Sequence, residues 1–83
     1  MSKEKNLYKE MYKNKEYCLS ELREARRVFT TEPFTPEKGE LIVKSLAIML
    51  FYCPEDVTSL VEATIYECER RSLYAAINRS KLE

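Results

Sequence analysis

Apolar positions along the chain form three blocks, separated by two breaks that contain proline. In the first block, from Asn6 to Phe29, residues Leu7, Tyr8, Met11, Tyr12, Cys18, Leu19, Leu22, Ala25 and Phe29 share one broad arc when successive residues turn by about 100°. This spacing predicts one amphipathic helix over 6–29. Arg23, Arg26 and Arg27 suit the negative end of its dipole, and Thr30, Thr31 and Pro33 end it.

The second block opens with a start signal. Thr35 can accept from the backbone as a cap, Pro36 takes the first helical position without wasting an N–H, and Glu37 meets the positive end of the dipole. From Leu41 to Tyr52 the apolar residues point all around the axis, interrupted only by Lys44 and Ser45. A helix over 36–52 that is apolar on every side must be covered on more than one.

Pro54 drives Cys53 out of the helical region and predicts a sharp corner, with a third helix over 54–80. Val57, Leu60, Val61, Thr64, Ile65, Cys68, Ser72, Ala75 and Ala76 form its main stripe. Tyr66, Leu73 and Ile77 form a second strip on nearly the opposite side. The expected fold is therefore all-α, a three-helix bundle-like single domain over 1–83 with long outer helices and a central apolar one.

At about 1.5 Å per residue the outer helices would reach roughly 36 and 40 Å, beyond the roughly 30 Å width of a globule of this size. Their overhanging residues Leu7, Tyr8, Met11 and Tyr12 are then candidates for dimerisation, two-fold homodimers being the commonest oligomers.

Composition narrows the chemistry. Lys and Arg number 14, as do Asp and Glu, and there is no His, so the commonest general base and metal ligand is missing. No Gly-rich loop, nucleophile elbow or metal motif appears, and the expectation is a non-enzyme without cofactor or metal. Cys18, Cys53 and Cys68 lie on apolar faces without CxxC spacing. They read as reduced fillers in a cytoplasmic protein. The longest apolar run, Leu46 to Cys53, is far shorter than the about 20 residues of a membrane span.

Two candidate surfaces remain. Tyr66, Leu73, Tyr74 and Ile77 beside Arg70 match the aromatic and Arg content of interface centres and suggest binding of another protein. The expected role is a small regulator, inhibitor or accessory factor that occludes a partner's surface, in a chain whose composition suits a bacterial or bacteriophage accessory protein. The alternative is nucleic acid, contacted by Lys5, Lys9, Lys13, Arg23 and Arg27 along one edge of the first helix. That edge lies in a segment of net charge +3 through Phe29. The rest carries −3, and the zero total disfavours a general nucleic-acid binder.

Overall fold

The computed structural model describes residues 2–31 and 33–82, with side chains described over 7–31 and 33–81. Four α-helices follow in order: α1 (Ser2–Tyr12), α2 (Lys15–Phe29), α3 (Pro36–Tyr52) and α4 (Thr58–Leu82). A 3-10 turn, Glu55–Val57, joins the last two, and no strand occurs among the described residues.

The single first helix expected over 6–29 is in fact two, because Asn14 caps a new one. Its backbone is extended (φ −84°, ψ 114°) and its side chain accepts a hydrogen bond from the Tyr17 N–H at 3.0 Å. Asn favours such local bonding over a helix interior, which is why an apolar arc running through it does not keep the helix continuous. The thiol of Cys18 completes the junction by donating to the Tyr12 carbonyl, one of the acceptors orphaned at the end of α1, at 3.2 Å.

The break lets α1 fold back on α3 while α2 packs on both α3 and α4. Tyr12, Cys18, Leu22 and Ala25 enter the core from this side, meeting Leu46 and Met49 of α3 and Val57 and Val61 beyond the corner. Tyr12 is only 4% exposed, so it is a core residue of its own chain and not part of an overhanging rim. Burial pushes its phenol pKa up, opposed by a hydrogen bond with Ser45 of α3.

At α3, Thr35 Oγ accepts from the Lys38 N–H at 3.2 Å, and Pro36 occupies the first turn. Cys53 and Pro54 are both extended (ψ 158° and 151°) and end the helix. The α-helix expected to begin at Pro54 begins instead at Thr58, because the chain first needs the 3-10 turn, closed by Val57 N–H to Pro54 C=O at 3.0 Å, to reverse direction. The corner closes α3 and α4 into an antiparallel hairpin. Its far end is joined by Arg79, whose guanidinium donates twice to Glu37, at 3.1 and 3.0 Å.

Gly39 faces Ser72 across this hairpin at a separation that leaves no room for a side chain. The body is elongated, 44 × 27 × 16 Å, its long dimension matching the roughly 37 Å of the 25-residue α4. Central as it is, α3 is not covered all round: Leu41 and Phe51 remain exposed.

Ion pairs bridge the elements at the surface. Lys15 meets Asp56 at 3.0 Å, and Glu67 sits between Arg26 of α2 and Arg71 of α4, at 3.4 and 3.6 Å. All lie at least partly in solvent, where such pairs add little, so apolar burial supplies most of the stability.

The Glu37–Arg79 pair makes the fold sensitive to acid. The double hydrogen bond from Arg79 holds the Glu37 carboxyl at about 2, against an ordinary 4.5. A carboxyl lowered by folding stabilises above its unfolded value and loses that contribution as pH falls toward its folded one. The melting-temperature advantage of the natural chain over Glu37→Gln is therefore expected to be constant above about pH 5 and to shrink between 4.5 and 2. Thermal melts of both proteins across that range check it, and an advantage undiminished at the acid end would contradict the assignment.

Candidate protein-interaction surface

The main stripe of α4 is consumed by packing: Val61, Thr64 and Cys68 are fully buried, as is nearly all of Val57 in the turn before it, and the Thr64 hydroxyl is satisfied by donating to the Leu60 carbonyl at 2.7 Å. A helix of 3.6 residues per turn that buries these positions must turn Tyr66, Arg70, Leu73, Tyr74 and Ile77 the other way. Tyr66 is 63% exposed, Leu73 61%, Tyr74 57% and Ile77 41%. Arg70 binds the strip together. Its guanidinium carbon lies 5.9 Å from the Tyr66 ring centroid, and a hydrogen bond with Tyr74 further favours its charged form.

Of the residues expected at a dimer interface, Leu7 is exposed at 60%, Tyr8 is at the edge of exposure and Met11 is half-buried, whereas Tyr12 lies inside. The basic row is divided. Lys9 and Lys13 belong to the α1 side of the Asn14 break and Arg23 and Arg27 to α2, while the Lys5 side chain lies outside the described residues. Glu10 pairs with Lys13 at 3.5 Å, and Glu24 takes a two-pronged contact from Arg27 that lowers its own pKa.

Cys18 and Cys68 are fully buried and Cys53 half-buried, all as free thiols. Burial pushes the Cys18 and Cys68 thiols up, away from the reactive thiolate. Among the described residues no three His, Cys, Asp or Glu side chains converge as a metal site, and no helix is long and apolar enough to cross a membrane.

Two of the surface clefts bear on binding. One, of about 400 Å³, lies between the α2–α3 connection and α4, against Phe29, Phe34, Arg71, Tyr74 and Arg79. Its guanidiniums are engaged, Arg71 with Glu67 and the Phe29 ring and Arg79 with Glu37. The other, of about 470 Å³, lies between α1 and α3 and is lined by Tyr8, Ala47, Ile48, Phe51 and Tyr52. Sequence reading misses Phe51, which stands 81% exposed. A signal was present: Phe51 follows the solvated Lys44 by seven residues, two helical turns, and so shares its outward side.

Among its described residues the chain is all-helical, with four α-helices, and Tyr, Phe, Leu and Ile side chains stand exposed among its charged ones. No protein-family model, curated protein or solved structure matches it.

Proposed function

We propose that this chain is a small protein-binding factor, a cytoplasmic regulator, inhibitor or accessory protein that covers a partner's surface with the outer face of α4. The observation that supports this most is the exposed strip of Tyr66, Leu73, Tyr74 and Ile77 around Arg70, on the side of α4 turned away from its own core. Tyr and Arg dominate the energetics of interface centres, and here the cation is already seated on a ring, so little ordering remains to be paid on docking. The mechanism is occlusion, without catalysis. The proposal includes self-association through the exposed part of α1, Leu7 and Tyr8.

Nucleic-acid contact through Lys9, Lys13, Arg23 and Arg27 draws less support, since Lys13 and Arg27 each face a carboxylate one turn away and Asn14 interrupts the row.

A pull-down from source cells tests the main reading. One stoichiometric partner is expected, with capture falling at least about tenfold for Leu73→Asp or Ile77→Asp, because each places an unpaired carboxylate in the contact. Circular dichroism should show helicity retained, both positions being exposed. Capture of that partner unchanged by either substitution would remove α4 as the site.

A further inference from the structure

The groove between α1 and α3 has an aromatic wall that the fold holds in place. Tyr8 stacks on Tyr12, with centroids 6.2 Å apart and planes 4° from parallel, and Tyr12 is anchored in the core. Across from it, Phe51 meets Tyr52 edge-to-face at 5.1 Å. Neither pair needs rearrangement to receive a ligand.

We propose that this groove is the seat of a second copy of the same chain, in a two-fold dimer that places Phe51 of each protomer in the groove of the other. The inference rests on the self-association part of the reading above and is independent of the α4 face.

Three observations select this occupant. The first is area. The chain exposes 6100 Å², whereas a folded monomer of 9.8 kDa exposes about 5200 Å². The excess, about 900 Å², is close to the roughly 800 Å² that each partner buries in a standard interface. The radius of gyration agrees, at 14.0 Å against about 11.8 Å for a globular domain of 83 residues.

The second is charge. From Ser45 to Pro54, the stretch that supplies four of the five groove residues, no side chain is ionisable to a carboxylate or cation. Interfaces between identical subunits are more apolar than those with transient partners, and the Tyr–Arg face of α4, flanked by Glu62 and Glu69, is of the more polar kind. The third is shape. An isologous contact requires one patch to carry both the projection and its recess, and Phe51, exposed at 81%, projects from the edge of the groove that it helps to line.

Sedimentation equilibrium or light scattering tests the proposal on the full chain at micromolar concentration. The natural protein is expected at twice its 9.8 kDa chain mass. Phe51→Asp is expected at the single mass with unchanged helicity, its dimer dissociation constant raised about a hundredfold or more by a carboxylate forced into an apolar contact. Leu73→Asp is expected to stay dimeric. A monomeric natural protein, or a dimer that survives Phe51→Asp, would overturn the proposal. Loss of the dimer in Leu73→Asp alone would overturn it too, and would make α4 the self-association face. Should Phe51→Asp lose helicity, Ala47→Arg, exposed one turn before Phe51 on the same side of α3, carries the same expectations.

Discussion

Met49→Ala is expected to lower stability by about 2–5 kcal/mol, the range for removing a large buried aliphatic side chain with incomplete collapse of the space it leaves. Met49 has no exposed surface and lies in the cluster where Tyr12, Cys18 and Leu22 meet Val57 and Val61, so its loss is felt by every helix that contributes to the core. A domain of this length holds only about 4–12 kcal/mol in total, at 0.05–0.15 kcal/mol per residue. The substitution should therefore take a large share of it, moving the melting temperature down by roughly 8–40 °C at about 4–8 °C per kcal/mol. Leu41→Ala, in the same helix but 67% exposed, is expected within about 0.5 kcal/mol of the natural chain. Urea titrations of the three proteins decide the matter. Equal effects at the two positions would mean that α3 does not present the face described.

The second large effect is expected at Gly39, through steric conflict and not through a cavity. A Cβ built there lies 1.8 Å from Ser72 Oγ, 3.1 Å from Ser72 Cβ and 3.0 Å from the tip of the Phe34 ring. In an ordinary helix, exchanging Gly for Ala gains about 1 kcal/mol from backbone propensity. Here that gain is opposed by overpacking, which costs about 1–3 kcal/mol in a close-packed interior, and Gly39→Val, with two further methyls, should be clearly destabilising.

Ser72→Ala alone should be nearly neutral, because Ser72 Oγ is buried with only the weakly polar Cys68 thiol for company. Combined with Gly39→Ala it removes the worst contact, and the double variant should exceed the sum of the singles by about 1 kcal/mol. Strict additivity in denaturant titrations would show that α3 and α4 do not meet at this point.

These two positions mark where the sequence is informative and where it falls silent. The start of α3 is written in Thr35-Pro36, because a capping oxygen and a missing N–H answer a local geometric need. The corner at Cys53-Pro54 is equally local. The outward strip on α4 follows from helical periodicity once Val61, Thr64 and Cys68 claim the inner side.

What depends on distant residues is not legible. Asn14 is tolerated inside many helices at a small penalty, so the apolar arc from Leu7 to Phe29 hides the break that turns Tyr12 inward. In α3 the unbroken apolar run does not say which side will be covered. The outward placement of Phe51 is deducible only from its register with Lys44. That Gly39 sits where α3 packs too tightly on α4 to admit a side chain, and is not a weak spot in a helix, depends on Ser72, which is distant in the chain.

The outer face of α4 is proposed to contact another protein. Photocrosslinking in the source cell tests it most directly, with a photoreactive residue placed in turn at Tyr66, Leu73 and Ile77 and, for comparison, at the exposed Glu40 of α3. One discrete adduct of the same mass is expected from all three α4 positions and none from Glu40. No adduct from α4, or the same set of adducts from Glu40, would contradict it.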